Sequence, residues 1–341
     1  MSGNLIILDT LEGREAAALV VGGRLHDLLI ESDAPRPGTV YRAIADRPVK
    51  GQGGMFLRTP DGPAFLRQVK GIAPGDALLV QVTGYAEDGK ALPVTQKLLF
   101  KSRFAIITPG ARGFNISRNI RDEDLRDKLL EIAHSVMESD ADFGLIMRSS
   151  CADADADEIA EDIAAMADIA HGVMRATTGE AQKLADGDGP HVMAWRDWAE
   201  PAEIITEDGG FEHNGILDQI DALSGPFCAL SNSASMYIEP TRALVAVDIN
   251  TGADTSPAAG LKANLTAARD LPRQLRIRGL GGQITLDLAP MPKKDRRTFE
   301  TALRAAFRSD SIDTTLVGWT PLGHFELQRK RARLPVGDLL T

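Results

Sequence analysis

Cysteine is nearly absent. The chain has two, Cys151 and Cys228, far apart and in no CxxC pair. This argues against a thiolate zinc site built from one chain. Cys228, within the apolar run PFCAL, reads as a small buried hydrophobe. The six histidines are scattered, with no HxxxH or HxH spacing. No apolar run approaches the roughly 18 residues of a membrane span. The N-terminus, MSGNLIILDTLEGREAA, lacks a basic leader, and Asp9 and Glu12 interrupt its apolar stretch. The expectation is a cytoplasmic protein. Internal repeats and low-complexity segments are also missing. A basic excess is lacking too, because the net charge is −10, which argues against non-specific nucleic-acid binding as a property of the whole chain.

What is present is ordinary globular composition, 43% apolar and 25% charged, in 341 residues, enough for two or more cores. The charge is unevenly distributed. CADADADEIAEDIAAMAD, residues 151–168, is strongly acidic, whereas residues 262–308 carry eleven Lys and Arg against four Asp and Glu, with QRKRAR following at 328–333. A basic C-terminal region suits a polyanionic substrate. The plainer alternative makes these arginines solvated helix faces.

The chemistry is concentrated in two runs, IEPTRALVAVDINTG (238–252) and LGGQITLDLAPM (280–291). Each is an apolar strand pattern that ends on a carboxylate, Asp248 in one and Asp287 in the other. Adjacent strands ending this way would join two hard oxygen ligands suited to Mg²⁺. Asn250 follows Asp248 at the strand period of two, so its amide should share that face.

Along the chain, LIILDT and EAAALVV predict a strand pair or meander. From Pro35 to Ser102, short apolar runs punctuated by Gly, Pro and Asp predict a five-stranded OB-type barrel. Phe56 and Phe65, with Lys50 and Arg58 near them, are its candidates for stacking on bases. The competing reading places both in the barrel core. A strand at 104–108, a helix from Asp122, a strand at 144–148 and a helix over 155–176 follow. Residues 179–210 give no clear pattern. A helix over 211–223 leads to strand 242–249, helix 258–277, strand 283–289, helix 294–308 and strand 312–318. This alternation predicts an α/β layer, with Pro272 kinking or ending its helix.

These residues resemble the ribonuclease E/G family. IEPTRALVAVDINTG carries the strongest likeness, which continues through Asn264 in ANLTAARDLPRQLRIRGLGG and closes on ITLD at Asp287. GREAAALVVGGRLHDLLIES, ISRNI and GLIMRSS extend it more weakly. The resemblance implies an α/β (α+β) protein of several subdomains. These are an RNase H-like part at 1–34 and 179–237, an inserted S1-type OB barrel at 35–102, a 5′-sensor region at 103–178 and a DNase I-like catalytic subdomain at 238–341. It implies a cytoplasmic Mg²⁺-dependent endoribonuclease of RNA processing and decay, rRNA maturation included. Such an enzyme cuts single-stranded RNA with metal-activated water and leaves 5′-phosphate and 3′-hydroxyl ends. Asp248 and Asp287 would hold Mg²⁺, Asn250 would contribute its amide, and Phe56, Phe65 and Asn264 would meet RNA. Arg148 and Ser149, with the backbone near Ile106, would receive a 5′-phosphate. For Arg148 the plainer alternative is an ion pair to the acidic helix.

The chain also departs from the family pattern. It stops at PVGDLLT, short of a CPxC zinc-link, so no zinc-linked dimer is expected, and any oligomer would use other surfaces. Ser102 stands for a sensor glycine, and Pro321 falls near a customary strand arginine. LAPM lacks a second acidic residue, and the loop Thr255–Gly260 is short. Two other readings stay open: a non-catalytic RNA-binding protein on the same scaffold, and a DNA nuclease, against which the barrel argues.

Overall fold

The computed structural model describes residues 3–49, 53–137, 142–198, 201–231 and 233–340. The chain divides into two compact units. One is formed by Met1–Ser32 with Pro201–Thr341, and the other by Asp33–Glu200.

The first unit opens with a meander, β1 (Leu5–Leu11), β2 (Arg14–Val21) and β3 (Arg24–Ile30), joined by two-residue turns. The chain then enters the second unit, where β4 (Val40–Val49), β5 (Gly54–Thr59), β6 (Gly62–Leu66), β7 (Ala77–Val82) and β8 (Leu92–Thr95) form a barrel. Strand order is β4-β5-β6-β8-β7, and β7 returns to pair with β4, which closes the cylinder, with β6 and β8 parallel. Alternate residues, among them Met55, Leu57, Ala64, Leu66, Val80 and Val94, fill it. This is a closed five-stranded barrel of OB type, as the spacing of short apolar runs predicts.

Beside it in the same unit lie β9 (Phe100–Lys101), β10 (Ala105–Pro109), β11 (Gly113–Ile116), helix α1 (Glu123–Met137), β12 (Phe143–Met147) and helix α2 (Ala156–Arg175). The sheet order is β11-β12-β10-β9. Leu129 and Ala133 of α1 and Ile159, Ile163 and Ala170 of α2 bury against Ile107, Leu145 and Met147. The segment without a clear sequence pattern provides β13 (Gln182–Ala185), which pairs with β4, then α3 (Pro190–Asp197) and, back in the first unit, β14 (Glu203–Ile205), parallel to β1.

The helix predicted over 211–223 is interrupted. It forms as α4 (Gly210–His213) and α5 (Leu217–Asp221), because Gly215 adopts φ of 64° and ends the first turn in a left-handed conformation. Next come β15 (Phe227–Ala229), β16 (Ser235–Pro240), β17 (Val245–Asn250), α6 (Ala259–Ile277), β18 (Gly282–Asp287), α7 (Arg296–Arg308), β19 (Thr314–Trp319), β20 (Phe325–Arg329) and α8 (Val336–Leu339). They build a mixed sheet in the order β15-β16-β17-β18-β20-β19, with β17 and β18 parallel across the α6 crossover. Among the described residues the two long helices pack on one face. Ala263, Ala267, Leu271 and Leu275 of α6 and Phe299, Leu303 and Phe307 of α7 pack on Met236, Ile238, Val247, Ile249, Ile284, Leu286 and Leu327. The opposite face alternates outward with mostly polar side chains, as expected of a sheet wet on one side.

Two expectations need correction here. Pro272 does not end α6, because the helix continues to Ile277. Its buried apolar stripe outweighs the roughly 3 kcal/mol that an interior proline costs. The QRKRAR segment is neither a phosphate-facing nor a solvated stretch throughout. Arg329 is 1% exposed and ion-paired with Asp310 at 2.7 Å. Arg276 reaches both Asp310 and Asp27, and Arg333 closes on Asp27 with a second contact at 3.0 Å. These cations hold the first unit together. Burial pushes the Asp27 carboxyl up, but Arg333 and then Arg276 outweigh it and hold the group below the usual carboxylate range.

Candidate active site

Asp248 and Asp287 are direct register partners on the parallel strands β17 and β18. Their neighbours Val247, Ile249 and Leu286 are buried under the helices, so by alternation both carboxylates point to the open face. Strand spacing puts their backbones roughly 5 Å apart. Asn250, two residues on and also exposed, donates its amide N–H to Oδ2 of Asp248 at 2.7 Å. His324, just ahead of β20, brings Nε2 within 3.7 Å of Asp287 Oδ1. Among the described residues no group of three or more His, Cys, Asp or Glu could enclose a metal. Two exposed carboxylates at one point nevertheless fit Mg²⁺, which keeps much of its water and takes substrate phosphate as ligand.

The loop after Asp287 is clamped from below by α6. Gly260 lies so close that a Cβ there would sit 1.9 Å from the Pro290 carbonyl oxygen. One turn on, Asn264 is wholly buried. Its Nδ2 donates to the Ala289 carbonyl at 2.9 Å, and its Oδ1 accepts the Ala289 N–H at 3.0 Å. This corrects the expectation that Asn264 meets RNA: with no surface exposed and both amide atoms engaged, it braces the loop that follows Asp287.

In the barrel, Phe56 and Phe65 face each other across β5 and β6, ring centroids 5.3 Å apart. Met55, Leu57, Ala64 and Leu66 occupy the interior, so the two rings lie half-buried on the outer wall and not in the core. The Arg47 guanidinium sits 5.0 Å from the Phe56 centroid, and Arg58 is exposed. Lys50 lies outside the described residues.

Arg148, at the end of β12, donates to the Ser102 carbonyl at 2.6 Å, the Arg196 carbonyl at 3.1 Å and Asp197 Oδ1 at 2.8 Å. Its ionic partner is therefore Asp197 on α3, and not the acidic helix α2. Burial acts to raise the Asp197 pKa, yet Arg196 and Arg148 together depress it. The acidic helix instead uses Asp162, which accepts from the Ser102 hydroxyl at 2.5 Å and the Phe104 N–H at 3.1 Å. Ser149 is exposed and opens a single tight turn, Ser149–Asp153. Ile106 lies on β10, paired with Ile146 and Lys101.

The sequence profile of the Ribonuclease E/G family matches residues 100–208 and 191–332, together more than half of the chain. The chain belongs to the ribonuclease E/G family. It is 26% identical over 404 residues to Ribonuclease G of Salmonella typhimurium, covering 98% of this chain and 81% of that protein. Ribonuclease E of Synechocystis sp. is 25% identical over 380 residues, covering 94% of this chain and 56% of the relative. For Ribonuclease E of Escherichia coli the identity is 24%, covering 98% and 37% respectively. The chain thus spans about half, or less, of the ribonuclease E relatives it matches.

Within this ribonuclease E/G family member the basic region divides into two sets. Arg273, Arg276 and Arg278 are committed internally, Arg278 to the carbonyls of Leu223 and Gly225 at 2.6 Å each. Lys293, Lys294 and Arg297, which follow the Asp287 loop, are exposed. Pro321 falls in the turn between β19 and β20, and not in a strand. His324 carried no signal in the sequence, because only the pairing of β20 with β18 brings it to Asp287. No helix among the described residues is long and apolar enough to cross a membrane.

Proposed function

We propose that this chain is a Mg²⁺-dependent endoribonuclease that cuts single-stranded RNA in RNA processing and decay, leaving 5′-phosphate and 3′-hydroxyl ends. The observation that carries the reading is the pairing of Asp248 with Asp287, register partners on the open face of the sheet. Mg²⁺ bound there would polarise the scissile phosphate and lower the pKa of a water. Asp248 and Asp287 would supply its oxygen ligands, and Asn250 would hold the Asp248 carboxylate through its amide. Lys293, Lys294 and Arg297 would offer charge to flanking phosphates.

The finer assignments belong to the same proposal. Phe56 and Phe65 would stack bases on the outer wall of an S1-type barrel. Arg148 and Ser149, with the backbone at Ile106, would receive a 5′-phosphate, which must displace Asp197 from Arg148. Residues 1–34 and 179–237 would be RNase H-like, and 238–341 DNase I-like.

The test is to incubate the purified protein with 5′-monophosphorylated, A/U-rich RNA, in Mg²⁺ and in EDTA. Metal-dependent cuts that disappear in Asp248→Asn are expected. Tight binding without cuts, unchanged by that substitution, would leave a binding protein on this scaffold. A duplex DNA should stay intact.

A further inference from the structure

The proposed nuclease site continues along the sheet in a direction that its carboxylates do not account for. Alternation in SMYIEP buries Met236 and Ile238 at 0% and 1% exposure, so Tyr237 between them must face the other way. In FCA of β15, Cys228 is buried and Phe227 faces outward by the same rule. Register then aligns four residues across neighbouring strands: Phe227 opposes Tyr237, Tyr237 opposes Asp248, and Asp248 opposes Asp287. All four are on the open face.

Two large aromatic side chains are left in water there, Phe227 54% and Tyr237 37% exposed, packed edge to face with centroids 5.5 Å apart. Glu239, Asn250 and Gln283 are exposed around the row. The Phe227 backbone is held from beneath, because Arg278 donates to the Gly225 carbonyl at 2.6 Å and to that of Phe227 at 3.4 Å.

We propose that Phe227 and Tyr237 form a base-stacking platform for the nucleotides immediately beside the scissile phosphate. The proposal rests on the nuclease reading above for what lies at the carboxylates. At strand spacing, Tyr237 stands roughly 5 Å and Phe227 roughly 10 Å from the Asp248 column. An RNA strand whose phosphate sits at Asp248 and Asp287 therefore places its next one or two bases, about, over these rings. Charge supports a base as occupant. Mg²⁺ would offset Asp248 and Asp287, but Glu239, exposed on the same strand face as Tyr237, would repel a phosphate beside the rings, whereas an uncharged aromatic base is not repelled. Stacking accepts every base, so the platform would add affinity and alignment without fixing sequence.

The experiment uses a short single-stranded A/U RNA with 2-aminopurine at each position in turn. Binding is read by fluorescence in the full chain carrying Asp248→Asn, with Mg²⁺ present. Quenching is expected at one or two adjacent positions. Tyr237→Ala and Phe227→Ala should abolish that quenching and raise Kd about tenfold, within what one stacked base contributes. Tyr237→Phe should retain both. In the chain with Asp248 intact, KM should rise by the same factor.

Unchanged Kd, quenching and KM in both alanine variants would overturn the platform while leaving any observed cleavage standing. Lost quenching in a protein that cuts no RNA would keep the platform and refute the nuclease reading. A dimer that Phe227→Ala converts to monomer, with RNA binding intact, would assign this face to a second copy of the chain and overturn the proposal.

Discussion

Replacing Asn264 by leucine removes a side chain that is completely buried and bonded at both ends to one residue, Ala289. Leucine keeps the branching at Cγ with somewhat greater bulk, and it can neither donate nor accept. The Ala289 N–H and carbonyl, two residues past Asp287, would then be buried without partners. Each such group costs about 1–3 kcal/mol, so a loss of about 2–6 kcal/mol is expected. With a urea m-value of about 2–3 kcal/mol/M, the midpoint should fall by about 1–3 M. Trp319 fluorescence can follow the first unit once Trp195 and Trp198, which belong to the other unit, are replaced by phenylalanine. Asn264→Asp should not rescue the loss, because it keeps the acceptor for the N–H but turns a carboxylate oxygen on the Ala289 carbonyl. The loop carrying Asp287 would shift, and a misplacement of about 1 Å at a reacting centre can cost on the order of a hundredfold in rate. RNA affinity should change little. If Asn264→Leu instead left the urea midpoint in place and weakened RNA binding, the side chain would be an RNA contact and the bracing argument would be wrong.

The Asp27 carboxyl, held low by Arg333 and Arg276 against the effect of burial, gives a pH dependence of definite sign. Its folded pKa lies below the unfolded value of about 3.9, so its stabilisation is complete above that value and is lost as pH falls through the folded one. The urea midpoint of the first unit should therefore hold steady from about pH 5 to 8 and drop in stronger acid. Asp27→Asn should cost about 3–5 kcal/mol at neutral pH and flatten the acid limb, and an undiminished acid limb in that variant would refute the assignment. At the other proposed site, Asp197→Asn should remove the carboxylate charge paired with Arg148 at 2.8 Å while leaving its bonds to the Ser102 and Arg196 carbonyls. Preference for 5′-monophosphate over 5′-hydroxyl RNA should rise in that variant and fall in Arg148→Ala, as read from initial cleavage rates. Equal loss on both RNAs in Arg148→Ala would make the arginine purely structural.

The sequence alone determined what depends on local period and composition. Alternation around Asp248 and Asp287 carried the strand assignments and the shared direction of Asn250. Short apolar runs cut by Gly and Pro were enough to predict a closed barrel, because a strand of that length with one wet face has few other solutions. Tertiary structure decided everything that depends on pairing between distant segments. Register placed Asp248 opposite Asp287, and Phe227 and Tyr237 in line with them, a relation that no spacing within one segment encodes. Burial decided the polar residues: an asparagine and a basic run look the same in sequence whether they face RNA or one another. Asn264 turned inward to Ala289, Arg329 and Arg333 to Asp310 and Asp27, and Arg148 to Asp197, because each met a partner contributed by another part of the chain. The sequence carried the two carboxylates and their strands. The fold determined which of the surrounding polar and aromatic groups stay free for a ligand, since a buried polar group must be satisfied within the protein and only the remainder can face outward.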